Sequence, residues 1–256
     1  MITLAFTRPE RRLETSVAMA EDMGFRVLAA PSLEVIPGRP EDFERFGDRL
    51  YRGSVDICIF SSATAVEECF RMWGKESVEM LDSVRVASIG PATSEYLEKN
   101  GIRVDSMPDV YSSQGLVDHL TDVRGKSILI IHSDKGSEIL RDGLRANGAR
   151  VTELIAYRLK KTALSQASRT IIEEALAGRV EFFAFTSPLS AESFFDAAKA
   201  GGYDSRELTG NSRIAAIGEP TASALRSLGL KVDIIPDDST FRSLLVSIKE
   251  FGRETK

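Results

Sequence analysis

Short runs of apolar β-formers, each closed by a polar turn and followed by an amphipathic stretch, recur along the whole chain. ITLAF from Ile2 ends in Thr7-Arg8-Pro9, a helix-period stretch leads to a turn at Gly24, and RVLAAPSLEV from Arg26 reads as a second strand. SILIIHS from Ser127 runs the same way to a turn at Gly148, followed by RVTELIAYRL from Arg150. The intervening pattern predicts strands over 57–60, 85–89 and 103–106, with helices over 63–73, 93–100 and 113–120. Later strands are expected over 181–185, 213–217 and 231–235, with helices starting near Leu189, Thr221 and Phe241. Runs of four or five apolar residues alternating with helix-period stretches indicate parallel strands joined by crossover helices, and so an α/β protein.

The pattern also repeats. VDICIFSSATAVEECF from Val55 aligns with VEFFAFTSPLSAESFF from Val180, and SIGPATSEYLEKNGIRV from Ser88 aligns with AIGEPTASALRSLGLKV from Ala216. The two halves therefore read as copies of one βα arrangement. Six strand-to-helix turns stand on equivalent edges: Thr7-Arg8-Pro9, Ser61-Ser62-Ala63, Gly90-Pro91-Ala92, Ser133-Asp134-Lys135-Gly136, Thr186-Ser187-Pro188 and Gly218-Glu219-Pro220-Thr221. Any one of them is explained as a helix cap. Repetition on the carboxyl edge of parallel strands, where free helix N–H groups gather and ligands bind in open α/β folds, weakens the capping explanation without removing it.

At 256 residues, and with roughly 150 residues to a domain, two compact lobes are expected. An apolar content of 43% with 28% charged residues is that of a globular chain. Against 38 Asp and Glu there are 33 Lys and Arg, a net charge of -5, so no broad basic field is available for nucleic acid or an anionic membrane. No apolar run reaches the roughly 20 residues of a spanning helix. The start of the chain, MITLAFTRPERR, is unlike a secretory signal, and a cytoplasmic location is expected. Cys58 and Cys69 lack CxxC spacing and the histidines are His119 and His132, so no metal site is expected.

Phosphate-loop, dinucleotide, zinc-protease and nucleophile-elbow signatures are missing. What remains is Ser, Thr and helix N-termini suited to capturing carboxylates or phosphates. The substrate-binding candidates are Thr7, Arg8, Ser61, Ser62, Gly90, Ser133, Lys135, Thr186, Ser187, Gly218 and Thr221. Arg8 and Lys135 each read either as neutralisers of a substrate acid or as solvated cations. Tyr157 reads either as a core tyrosine or as a general acid. His132 ends its strand and reads as a partly buried spacer in preference to a catalytic imidazole, because no partner carboxylate is identifiable. A two-lobed binding or sensor protein without catalysis is the alternative to an enzyme.

Taken together, TRP at Thr7, FSSATAV from Phe60, SIGPATSEYL from Ser88, YSSQGL from Tyr111, GARVTELIAYR from Gly148, FTSP from Phe185 and AIGEPTASAL from Ala216 resemble the uroporphyrinogen-III synthase family over nearly the full chain. The resemblance implies an enzyme that dehydrates and cyclises hydroxymethylbilane, a linear tetrapyrrole, to uroporphyrinogen III with inversion of the last ring. It implies no cofactor, and an azafulvene and a spiro intermediate on the path. It further implies two flavodoxin-like lobes with parallel sheets joined by a two-stranded linker, the substrate lying between them and held largely by main-chain amides. Carried onto this chain, one lobe is 1–35 plus 160–256 and the other 38–153, with linkers near 35–37 and 154–159. Tyr157 matches the family tyrosine that assists departure of the hydroxyl, and Thr221 matches a threonine of its Gly-Pro-Thr-Thr turn. Glu219-Pro220 departs from that turn and brings a carboxylate to an expected anion site, unless Glu219 points outward. A monomer is expected.

Overall fold

The computed structural model describes residues 1–254. Strand β1 (Thr3–Pro9) is buried through its first five residues, and Pro9, which has no N–H for a ladder, closes it and leads into helix α1 (Glu10–Asp22). There follow β2 (Arg26–Pro37), α2 (Pro40–Tyr51), β3 (Ile57–Phe60), α3 (Ala63–Trp73), α4 (Glu76–Asp82), β4 (Arg85–Ser88), α5 (Pro91–Lys99) and α6 (Ser113–His119). The chain continues through β5 (Ser127–Ser133), α7 (Glu138–Ala146), β6 (Arg150–Lys161), α8 (Gln166–Leu176), β7 (Phe182–Phe185), α9 (Pro188–Ala200), α10 (Ser205–Thr209), β8 (Arg213–Ala216), α11 (Glu219–Ser227) and α12 (Phe241–Glu254). This is an α/β fold with a mainly parallel sheet. Among the described residues no helix is long and apolar enough to cross a membrane.

The chain divides into two compact units. Unit 1 joins Met1–Val35 to the chain from Lys160 onward, and unit 2 is Ile36–Leu159. In unit 1 the strands lie in the order β2-β1-β7-β8, and Ala215 of β8 bridges Ile234. Numbered by their succession in that unit, they run 2-1-3-4-5. Unit 2 has the order β4-β3-β5-β6, with Ser106 bridged to Ala87 of β4. Starting its count at β5 gives the same 2-1-3-4-5. In such sheets the strand order reverses between the first and third strands, and the crevice at their carboxyl ends is where ligands bind. That point falls between β1 and β7 in unit 1, and between β5 and β3 in unit 2.

Both faces of the unit 1 sheet are covered. Phe183, Phe185, Phe194, Phe195, Ile171 and Ile214 form the core on one side. Leu4, Phe6, Phe182, Leu244 and Ile248 form it on the other. Double burial explains why FFAF of β7 shows no polar alternation. In unit 2, Ile57, Ile59, Ile128 and Ile130 of the central strands pack with Leu116, Leu140 and Leu144 of the helices.

The units share a finer detail. Between β1 and β2 the register slips, so that Arg8 faces Pro31 but Pro9 faces Leu33. Between β5 and β6 it slips at the same step: His132 faces Ile155 but Ser133 faces Tyr157. Each is a β-bulge, with two residues of one strand opposite one of the other. The duplicated bulges put Leu33 and Tyr157 in equivalent places.

Two expected strands are shorter than the sequence pattern predicts. Residues 103–106 and 231–235 contribute one bridge pair each. The cause is the same in both units: the Asp105 carboxylate accepts the N–H of Val86 and the Asp233 carboxylate that of Ile214, so a side chain takes a place the ladder would have filled. Helices α2, α4, α8 and α10 were not among the sequence expectations.

Candidate functional site

In unit 2 the turn after β3 is held by Ser62, whose Oγ accepts the N–H of Ala65 at 3.1 Å and caps α3. The N–H of Ser61 continues the ladder to Ile131 at 3.1 Å. From β6, Tyr157 reaches this turn, and its hydroxyl lies 3.0 Å from Ser62 Oγ. Tyr157 is 7% exposed. Burial pushes its phenol above the ordinary value of 10.0; hydrogen bonds to Ser62, Ser133 and Thr64 pull it partly back, and the Asp134 carboxylate raises it further. The outcome is a phenol that carries its proton at neutral pH, next to the N-terminus of α3, and so keeps an O–H donor there. Ser62, Ser133 and Tyr157 are thus brought together at the end of β3 and β5, the reversal point of this sheet.

Other candidates in unit 2 are placed as follows. Ser133 Oγ accepts the N–H of Lys135 at 3.2 Å, which shapes the turn after β5. Lys135 is more than half exposed, with Nζ 3.8 Å from Asp134 Oδ2. Gly90 caps α5 in extended backbone with Pro91 behind it, and the exposed Tyr111 lies against it. His132 is buried, with Nε2 3.3 Å from a Glu153 oxygen. Asp134 and Thr64 were missed among the sequence candidates. Asp134 stood between two chosen residues, but an exposed-looking turn aspartate carries no signal of its backbone contacts.

In unit 1, Thr7 and Phe185 are ladder partners, so the turns after β1 and β7 adjoin at that sheet's reversal point. The Thr7 hydroxyl is buried without a hydrogen-bond partner. Ser187 repeats the role of Ser62, accepting the N–H of Ser190 at 3.1 Å to cap α9, and Thr186 precedes it half-buried. Gly218 caps α11, where an added Cβ would come within 2.8 Å of Ser239 Oγ, and Thr221 is buried one turn on.

Two sequence readings resolve here. Arg8 is not a solvated cation: Nη1 donates to Ser16 Oγ at 2.9 Å, the guanidinium lies 4.7 Å from the Phe241 ring centre, and its buried Nε has no hydrogen-bond partner. Burial, with Arg12 nearby, lowers its pKa to about 10. Glu219 points along its own helix, where Arg226 and Ser223 hold its carboxylate, so the charge is matched within α11. Among the described residues no group of three or more His, Cys, Asp or Glu stands together to hold a metal ion.

A family model described as uroporphyrinogen-III synthase HemD matches residues 14–246. A putative uroporphyrinogen-III synthase of Methanothermobacter thermautotrophicus is 30% identical, covering 96% of both chains. The uroporphyrinogen-III synthase of Chlorobaculum parvum is 26% identical, over 93% of this chain and 94% of its own. Among solved structures, a mutant uroporphyrinogen III synthase of Thermus thermophilus superposes with a TM-score of 0.70 at 22% identity, covering 99% of this chain and 100% of that one. At that identity the likeness speaks to the fold.

Proposed function

The chain belongs to the uroporphyrinogen-III synthase family, and from that premise we propose that Tyr157 is the proton-bearing group that assists loss of hydroxyl from hydroxymethylbilane. The activity is that of a uroporphyrinogen-III synthase, a hydro-lyase of tetrapyrrole biosynthesis. Departure of hydroxide is slow unless its oxygen gains a proton or a strong hydrogen bond as the bond breaks. The observation that carries the proposal is the 3.0 Å contact of the Tyr157 hydroxyl with Ser62 Oγ at the carboxyl edge of β3. It aims a neutral phenol at the edge where parallel α/β sheets take ligands. With the Tyr157 proton the hydroxyl departs as water and leaves the azafulvene in its protonated form. Attack, fragmentation and reclosure then need confinement, and loss of one proton from the closed ring to the Tyr157 phenolate restores the balance.

In this reading Ser61, Ser62, Gly90, Ser133 and Lys135 hold substrate carboxylates in unit 2, and Thr7, Thr186, Ser187, Gly218 and Thr221 are the carboxylate-holding residues of unit 1. Arg8 acts behind Thr7 through its contacts with Ser16 and Phe241. Amide N–H groups at helix starts supply the attraction for a polyacid, so a net charge of -5 is no obstacle. Each unit is read as a flavodoxin-like lobe, residues 35–37 and 154–159 carry the chain between them, and the enzyme works as a cytoplasmic monomer without a cofactor.

The assay supplies freshly generated hydroxymethylbilane and separates the type I and type III isomers; spontaneous closure gives type I. Tyr157→Phe is expected to lower kcat by about 10²-fold, the scale of general acid assistance, while type I accumulates. A kcat equal to that of the parent removes Tyr157 from the chemistry. Thr221→Val is expected to raise KM about tenfold, the worth of one hydrogen bond to a charged group, and an unchanged KM returns Thr221 to the core.

A further inference from the structure

The turn after β5 does more than present Ser133 and Lys135. The main-chain N–H of Asp134 donates to the carbonyl of Tyr157 at 3.0 Å, and Asp134 Oδ1 accepts the N–H of Leu159 at 3.0 Å. One residue therefore grips β6 on both sides of Arg158, immediately after the bulge that sets Ser133 opposite Tyr157. The second carboxylate oxygen faces Lys135 Nζ at 3.8 Å, which leaves Oδ1 to the backbone. A bulge breaks the ladder and lets the strand twist, and where the next side chain points depends on what restrains the backbone beyond it. Here that side chain is Tyr157, whose hydroxyl must meet Ser62.

We propose that Asp134 is a positioning residue for this reaction: it clamps the bulged segment of β6 and thereby fixes the Tyr157 hydroxyl on the turn after β3. The proposal rests on the role given to Tyr157 above. The other unit supplies the contrast, since Leu33 stands at the equivalent place after the same slip and the residue matching Asp134 is Glu10, exposed at the start of α1. The bulge is common to both units, but Asp134 is joined to the tyrosine copy.

The test compares Asp134→Ala, Asp134→Asn, Tyr157→Phe and the double variant Asp134→Ala/Tyr157→Phe in the isomer-resolved assay, with hydrogen exchange at the Leu159 amide. Misplacement of a reacting group by about 1 Å costs up to about 10²-fold, so Asp134→Ala is expected to lose kcat toward that limit with KM little changed. Asn keeps the Oδ1 acceptor, and Asp134→Asn is expected to recover most of kcat and the slow Leu159 exchange. Adding Asp134→Ala to Tyr157→Phe is expected to cost nothing further, because the group being positioned is gone. Additive losses, a loss confined to KM, full activity in Asp134→Ala, or failure of Asn to rescue would each overturn the proposal. Should Asp134→Ala not fold, Asp134→Ser, too short to reach the Leu159 amide, takes its place. Parent-like kcat in Tyr157→Phe alone would instead sink the role of Tyr157, so the two failures are told apart.

Discussion

His132 shows how little of a residue's chemistry is written in its type. It ends β5 with Nε2 3.3 Å from Glu153, and Gly136 passes so near that an added Cβ would lie 1.6 Å from Nδ1. Burial lowers its pKa below the ordinary 6.5; Glu153 opposes that fall and Arg141 adds to it. Below about pH 6.5 the unfolded chain binds a proton that the folded one does not, so stability present above that pH is lost as pH falls through the depressed folded value. Denaturant unfolding of the parent between about pH 7.5 and pH 5 is expected to show a falling midpoint, and His132→Asn a shallower fall. Parallel curves would show that His132 is not the group responsible. Sequence reading makes His132 a partly buried spacer on the ground that no partner carboxylate is identifiable; the structure buries it and puts the Glu153 carboxylate beside it. For Tyr157 and Arg8 the sequence left two roles open. Exposure and partners decide such cases, and both depend on chain distant in sequence, such as Ser62 for Tyr157 and Phe241 for Arg8.

At the scale of elements, what the sequence made legible follows from burial. Strands β3 and β7, buried throughout, read as uninterrupted apolar runs, and β8 as one after its opening Arg213; the pattern predicts all three within a residue or so of their ends. Residues 103–106 and 231–235 look like strands in composition, but Asp105 and Asp233 divert the ladder, and alternation carries no sign of that diversion. The bulges were equally silent, because a register slip is a relation between two strands. Gly38 carries a related constraint just past β2. Its N–H donates to the Ala156 carbonyl at 2.8 Å, and an added Cβ would meet the Ile155 carbonyl oxygen at 2.2 Å. Close backbone approach, with no positive φ involved, is what demands glycine here. Gly38→Ala is expected to destabilise by about 1–3 kcal/mol, the usual cost of overpacking, and to lower kcat as residues 155 and 156 shift beside Tyr157. A parent-like unfolding midpoint would show that the segment yields freely.

For the whole molecule, internal duplication was legible but its topology was not, because a repeat says which segments are alike and nothing of which ones pair. The family resemblance supplied the expectation that the first strand-helix-strand segment joins the end of the chain; β1 pairs with β7 at four ladder positions. The consequence is an asymmetry in folding. Unit 2 draws β3, β4, β5 and most of β6 from continuous chain, whereas unit 1 must bring β1 and β2 to β7 and β8 across the whole of unit 2. Closing contacts over that separation is slow, and without β1 and β2 the sheet of unit 1 ends at β7, its inner edge unpaired and its apolar residues bare. A fragment spanning residues 36–159 is therefore expected to fold alone, with cooperative unfolding and protected amides in β3 and β5. A fragment of residues 160–256 is expected to stay unfolded until residues 1–35 are supplied in trans. An unfolded 36–159 fragment, or an independently folded 160–256 fragment, would mean that the two units are not the cooperative elements their strand pairing implies.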